Sequence, residues 1–305
     1  MPELPEVETV RRGLEARIRG RSIESAAVAS NRVFRVDPQW LRSQIVGQRV
    51  VALDRRGKYL VIELDDWYWV VHLGMTGQLT VKGKDASGAG SDRRPDGFTD
   101  IADALDRHTP LALRFSTGEV MTFRDVRKFG RVFLIAKVQG ALTDLFGSLG
   151  LEPLGSSYCL EDFLKKLKGR KTRLKSMLLN QGFVAGVGNI YADEALFEAA
   201  LHPARTVRSL SRAEKEALFR AIPEVLEKGL LYGGTTLRDY VGSDGEPGQN
   251  QNGLRVYGRD ERACYRCGTV IQKMVISQRG THYCPTCQPR SRKKEKPNVV
   301  RTSAV

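Results

Sequence analysis

The sequence contains no apolar run near the roughly 18 residues that would cross a membrane. Its opening, MPELPEVETV, is too acidic and too polar for a secretory signal. A cytoplasmic protein without a membrane partner is therefore predicted. Cysteine is scarce, five residues in 305, and four of the five fall in two C-x-x-C pairs, a pattern that suits a metal rather than disulfides. The fifth, Cys159, stands between Tyr158 and Leu160 and reads as a small buried hydrophobe. Acidic side chains are in deficit, 35 against 49 Lys and Arg, for a formal charge of +14. So basic a balance points to a polyanionic partner. Part of the excess is local, because 290–301 holds six basic residues and one acidic, Glu295, with almost no apolar periodicity. Residues 290–305 are predicted to form a disordered tail, at most an auxiliary electrostatic contact.

What is present suffices for packed cores. Hydrophobic residues make up 41% of the chain, and 305 residues are long for one core, so two domains and a small satellite are expected. Pro5 suits the first position of a helix, Glu6 and Glu8 lie in its first turn, and Val7, Val10, Leu14 and Ile18 give one apolar stripe. Pro2 and Glu3 precede that helix, and helix chemistry leaves them unexplained.

Residues 23–136 read as β structure. Segments 59–64 and 67–73 flank Asp65-Asp66 as a hairpin, 111–115 and 119–123 flank Ser116-Thr117-Gly118 as another, and 131–136 continues the pattern. Short strands with close turns predict a sandwich or barrel. The Gly-, Asp- and Arg-rich stretch 82–107 is predicted to be a surface loop with a short helical piece at 101–105. Helices follow: one face from Leu160, Phe163, Leu164 and Leu167, then 174–179, 190–200 and 213–226. The stretch 149–157, with Pro153 and two glycines, is the expected linker.

Cys264-x-x-Cys267 and Cys284-x-x-Cys287 are 16 residues apart, the spacing of a four-cysteine zinc site on two knuckles. Four thiolates leave no open coordination position, so one structural zinc is predicted. A redox dithiol would need one pair and would not explain the second. Arg279 falls where the hairpin between the pairs would turn. Further upstream, Gly186-Val187-Gly188-Asn189 opens a predicted helix, where glycines and free N–H groups can receive a phosphate. Glycines between helices are more often punctuation. The neighbouring Arg170, Lys171, Arg173 and Lys175 favour nucleic acid.

These pieces resemble the formamidopyrimidine-DNA glycosylases, bifunctional enzymes that remove oxidised purines. The resemblance is carried in order by PELPEVET at 2–9, HLGMTG at 72–77, DVRKFG at 125–130, AGVGNIYADE at 185–194, VYGR at 256–259 and the four-cysteine finger. It implies an α+β fold. The N-terminal β-sandwich domain with its leading helix would span 1–150, a helix-two-turn-helix domain 151–258, and the zinc finger 259–289. Double-stranded DNA carrying an oxidised purine opposite cytosine would lie between the halves of a monomer.

The resemblance also gives Pro2 and Glu3 a task. With Met1 removed, Pro2 presents an α-amine, a group that titrates at about 7.7 to 8.0 and is partly unprotonated near neutrality. Its attack on C1′ would expel the base, and the resulting iminium would make the 2′ proton acidic, so that β- and δ-elimination cleave the strand. Glu3 would shuttle protons. By resemblance Lys58 is catalytic beside the lesion phosphate and Arg279 binds phosphate from the finger. Met75, Arg127 and Phe129 would fill the hole left by the extruded base, and His108, Arg170, Lys175 and Asn189 would contact DNA. Without the family, Lys58 would read as a strand-start lysine, His108 as a surface histidine, and Met75 and Phe129 as core. Two departures stand out: the 82–107 loop is longer than the family pattern, and the segment 243–253, where a lesion-capping loop is expected, carries Glu246 in place of a lysine and Asn250 in place of an aromatic. The rival readings are an endonuclease VIII-type glycosylase for oxidised pyrimidines and a non-catalytic damaged-DNA-binding zinc protein.

Overall fold

The computed structural model describes residues 1–29, 32–34, 36–83 and 100–290. Most of the 82–107 loop and of the basic tail therefore lie outside the described residues. Helix α1 runs Leu4–Ile18, one residue earlier than Pro5 implies, with Glu3 at its N-cap and Glu6 Oε2 accepting the Glu3 amide at 2.7 Å. Val7, Val10, Leu14 and Ile18 are buried as the spacing requires. They pack into the core of a sandwich, whereas Leu4 belongs to a second, helical core. One helix thus enters both units.

Eight strands make the sandwich: β1 (Ile23–Val28), β2 (Val50–Arg56), β3 (Tyr59–Leu64), β4 (Trp67–His72), β5 (Gly77–Lys82), β6 (Leu111–Phe115), β7 (Val120–Asp125) and β8 (Arg131–Ala136). They form two antiparallel sheets in the orders β1-β6-β7-β5 and β2-β3-β4-β8. The Asp65-Asp66 hairpin has the expected pairing, with Tyr59 opposite His72. One feature departs from the β reading of 23–136. Helix α2 (Pro38–Ile45) interrupts it, started by Asp37, whose carboxylate caps the Trp40 amide, and by Pro38 behind it. The predicted helical piece near 101–105 is one 3₁₀ turn, Ile101–Ala104.

After α3 (Ala141–Phe146), whose Phe146 packs on Tyr59 of the sandwich, the second unit contains α4 (Leu160–Leu167), α5 (Leu174–Leu179), α6 (Asn189–Glu198) and α7 (Arg212–Leu231). α6 packs between α7 and the finger hairpin, β9 (Gln272–Ile276) and β10 (Arg279–Tyr283). Cys159 is exposed rather than buried, because it sits at the start of α4 with its thiol 3.4 Å from Asp162. No helix among the described residues is long and apolar enough to cross a membrane.

Candidate active site

The start of the chain is locked onto α6. Glu3 is 2% exposed, and its carboxylate accepts the amides of Gly188 at 2.7 Å, Ile190 at 2.9 Å and Tyr191 at 3.4 Å. The glycine-rich opening of α6 is therefore an anion site, as its chemistry predicts, but the anion is a carboxylate of this chain rather than a phosphate. Gly188 makes the approach possible: a Cβ there would stand 2.3 Å from Glu3 Cδ. The Leu4 amide donates to Gly186 O at 3.0 Å and completes the clasp. Pro2 is buried beneath an exposed Met1, so loss of Met1 would uncover the Pro2 nitrogen at this junction.

Two cations face it. Lys58, in the turn after β2, is 7% exposed. Burial lowers the pKa of its ammonium; Glu3 and Glu6 oppose that fall and Arg279 adds to it, so the four side chains share one field. Ser277 and Gln278 form the hairpin turn with positive φ, which makes Arg279 the first residue of β10 rather than part of the turn. Ser277 Oγ lies 2.7 Å from Ser176 Oγ and ties that tip to α5. Burial, then Lys58 and Arg131, push His72 down to about 4, so its ring stays neutral at physiological pH. Glu6, which the sequence explained by the helix dipole alone, is buried against Thr235 and Tyr191. Burial and the charge of Glu3 push its pKa up to about 7.

The motifs HLGMTG and DVRKFG pack against one another. Asp125, fully buried, accepts the Thr76 hydroxyl, the Arg127 amide at 3.2 Å and the Gly130 amide at 2.6 Å, while its own amide donates to His108 O at 2.7 Å. Gly74, at φ +65°, lies so close to Phe129 and Gly130 that a Cβ would meet their backbone at 2.6 Å. This scaffold brings three side chains together: the Arg127 guanidinium lies 4.7 Å from the Phe129 ring, and its Nη1 is 3.3 Å from Met75 Sδ. Phe129 is 53% exposed, so it is not a core residue. His108 is half-buried, and its Nδ1 has no partner among the described residues.

The remaining expected contacts divide. Lys175 has no exposure, and its ammonium lies 2.6 Å from Asp193 and 2.7 Å from Asn189 O. Burial lowers its pKa against the pull of Asp193. Asp193 also receives the His282 amide at 2.9 Å, so Lys175 sits inside the joint between α5, α6 and the finger. Asn189 Nδ2 donates to Gly280 O at 3.0 Å, and its Oδ1 is buried without a partner. Arg170 lies at the end of α4, over the Phe183 ring and bonded to Lys166 O. Asn250 is 3% exposed and donates to Thr235 and Tyr191, so it packs inward, whereas Glu246 is exposed. Sequence reasoning missed Glu6, Tyr191, Asp193 and Thr235. Apart from the Glu3 amide on Glu6, their partners lie from 15 to 229 residues away, and only the burial of charge in MPELPEVET and NIYADE could have signalled the first three.

The four cysteine sulfurs lie within 4.8 Å of one another, with Cys264 to Cys287 at 3.9 Å and Cys267 to Cys284 at 3.4 Å. Tetrahedral zinc with Zn–S of about 2.3 Å needs sulfurs about 3.8 Å apart, so the set fits one closed, structural zinc.

Comparison with known proteins gives the same architecture. Residues 1–132 match the formamidopyrimidine-DNA glycosylase N-terminal domain, 149–241 the H2TH domain of the same glycosylase, and 263–290 the zinc finger found in FPG and IleRS. Formamidopyrimidine-DNA glycosylase of Enterococcus faecalis is 39% identical over 289 residues, covering 94% of this chain and 97% of that one. That of Herpetosiphon aurantiacus is 41% identical over 291 residues, covering 94% and 100%. A Lactococcus lactis FPG mutant in complex with a Fapy-dG containing DNA superposes with a TM-score of 0.81 at 36% identity, over 94% of this chain and 100% of that one. The wild-type Lactococcus lactis protein with an oxidized pyrimidine containing DNA gives 0.80 at 36%, with the same coverage. Sandwich, helical unit and finger match in order and nearly end to end, and the chain belongs to the formamidopyrimidine-DNA glycosylase family.

Proposed function

We propose that this protein excises oxidised purines, 8-oxoguanine and formamidopyrimidines, from duplex DNA opposite cytosine and then cleaves the abasic strand by β,δ-elimination. It works as a cytoplasmic monomer. The observation that carries the reading is the clasp at the N-terminus: Pro2 is followed by a buried Glu3 bonded to the start of α6, with Lys58 and Arg279 sharing its field. The Pro2 amine forms the bond to C1′ as the base departs with the glycosidic electron pair. Glu3 handles the proton at the sugar ring oxygen, and opening the ring gives an iminium that makes the 2′ proton acidic enough for a base to remove. Lys58 and Arg279 neutralise the lesion phosphates, His108, Arg170 and Asn189 hold the backbone, and Lys175, expected from the sequence to do the same, is buried against Asp193 and fixes the joint instead. Met75, Arg127 and Phe129 occupy the vacated stack. The expected domain limits, 1–150, 151–258 and 259–289, put the DNA cleft at the junction the clasp spans.

Borohydride trapping on duplex containing 8-oxoguanine tests this. The expected result is a protein–DNA crosslink that disappears when Pro2 is acylated or displaced by an N-terminal extension, with DNA binding retained. An undiminished crosslink in the blocked protein would sink the mechanism. The Lactococcus lactis structure with an oxidised pyrimidine supports a second reading, broader substrate choice, which excision of thymine glycol measured beside 8-oxoguanine separates.

A further inference from the structure

Glu6 is a buried titratable group at this centre to which the reaction above gives no task. Donors surround it. Oε2 accepts from the Glu3 amide at 2.7 Å, the nitrogen one residue beyond Pro2, while Oε1 accepts from the Thr235 amide and the Tyr191 hydroxyl, both at 2.8 Å. Those donors and the Lys58 ammonium favour the carboxylate, whereas burial and the charge of Glu3 favour the acid; the two sets offset near neutrality. Tyr240, whose hydroxyl donates to Glu6 O at 3.3 Å, is the remaining titratable neighbour, with Tyr191, from the elements packed on this turn.

The Tyr191 hydroxyl can serve either state. It lies 2.8 Å from Glu6 Oε1 and 3.1 Å from Thr235 Oγ1. It donates to Glu6 as carboxylate, and it can turn to Thr235 while accepting from Glu6 as acid. Asn250 Nδ2 donates to Thr235 Oγ1 at 2.8 Å. Tyr191 and Asn250 together line a cavity of about 120 Å³ with Glu194, Lys228 and Glu224, and Glu224 is exposed, so the cavity opens to solvent.

We propose that Glu6 is the proton acceptor for Pro2, and that Tyr191 and Thr235 re-pair to hold it either as carboxylate or as acid while DNA covers the front. The proposal rests on the Pro2 reading. Attack by the secondary amine leaves its hydrogen on a positively charged nitrogen. Transfer of that proton to the Glu6 carboxylate restores the nitrogen lone pair, which then expels the sugar ring oxygen as Glu3 protonates it. The acid formed at Glu6 keeps its proton and donates it as a hydrogen bond to the Tyr191 oxygen, while the Tyr191 hydroxyl turns to donate to Thr235 Oγ1, so Tyr191 stays neutral.

The test uses the full chain, freed of Met1, and an abasic duplex, which needs no base excision. Single-turnover borohydride trapping is followed against pH for wild type, Glu6→Gln and Tyr191→Phe. In wild type the rate should fall on the acid side of about pH 7, where Glu6 is already protonated. Glu6→Gln should lower the trapping rate on the order of a hundredfold and leave an acid limb with the slope of one group, the Pro2 amine, where wild type shows two, with duplex affinity unchanged. Tyr191→Phe, which keeps the ring and removes the turning hydroxyl, should displace the limb and change the solvent isotope effect. A folded Glu6→Gln protein that traps at the wild-type rate with the wild-type limb overturns the proposal and leaves the Pro2 mechanism standing. A wild type that forms no adduct overturns both. Should Glu6→Gln fail to fold, infrared titration of the wild type decides: a carboxylic-acid band lost between about pH 6 and about pH 8 supports the proposal, and its absence overturns it.

Discussion

The clasp between Glu3 and α6 can be measured by a double-mutant cycle on Gly188. Gly188 has φ −128° and ψ −152°, an extended conformation open to any residue, so an alanine there pays no backbone penalty. The obstacle is Glu3: the three atoms nearest a Cβ at 188 are its Cδ at 2.3 Å, Oε1 at 2.5 Å and Cγ at 2.7 Å. Gly188→Ala therefore evicts the carboxylate from the amides of Gly188 and Ile190. Two charge-assisted bonds of about 1.5 to 3 kcal/mol each set the scale at about 4 kcal/mol. In a Glu3→Ala background the obstacle is gone, and the same change should cost under about 1 kcal/mol, the ordinary difference between glycine and alanine at an N-cap. The expected coupling is about 3 kcal/mol. Chemical denaturation measures it with two probes, because tryptophans 40, 67 and 69 all lie in the sandwich unit and report on it, while far-ultraviolet circular dichroism follows the helices. Equal costs in the two backgrounds, within about 0.5 kcal/mol, would refute the steric argument.

Glu6 links stability to pH. Its pKa is about 7 in the fold against an ordinary carboxyl value of 4.5, so the native state holds more protons between these values and the contribution is lost as pH rises through that window. The gap corresponds to about 3 kcal/mol. Relative to wild type, Glu6→Gln should gain about that much between about pH 4.5 and about pH 7 in denaturation midpoints at constant m; a flat difference would refute the burial argument. Phe129→Ala should change stability by less than about 0.5 kcal/mol because the ring is exposed, yet slow lesion trapping about tenfold or more; a large stability loss would return Phe129 to the core. Chelation should unfold the finger and weaken duplex binding while tryptophan fluorescence of the sandwich stays native, and undiminished binding after verified zinc loss would refute a role for the finger.

Legibility in the sequence followed the range of the interactions. The hairpins of β3, β4, β6 and β7 depend on alternation within a few residues, and they lie where that alternation puts them. Helix α2 carries its own signal, Asp37-Pro38, yet eight residues inside a long β texture were outvoted by their surroundings. The glycines before α6 have the chemistry of a phosphate site, but the anion that fills it is the Glu3 carboxylate, 185 residues earlier. Lys175 followed the same pattern: a lysine in a basic stretch suggests a phosphate, and its neighbour in space is Asp193. Local chemistry names what kind of partner a group needs, and only the fold says which one it has.

That limit explains why the active centre sits where it does. Glu3 and Leu4 belong to the helical unit, while Val7 onward belongs to the sandwich. The Lys58 turn is fixed the same way from the other side: Glu152, just past α3, accepts from Arg55 at 2.7 Å, Arg56 at 2.8 Å and the Gly57 amide at 2.9 Å. A Cβ at Gly57 would press Ala185 at 3.2 Å. The residue after Pro2 and the turn that carries Lys58 are thus each anchored across the junction by a carboxylate, Glu3 and Glu152. Breaking the Glu152 anchor with Glu152→Gln should therefore slow Schiff-base trapping more than it weakens duplex binding, since it loosens the relation of Lys58 to Pro2 and touches no DNA contact. Equal losses in both would show that the anchor serves binding alone.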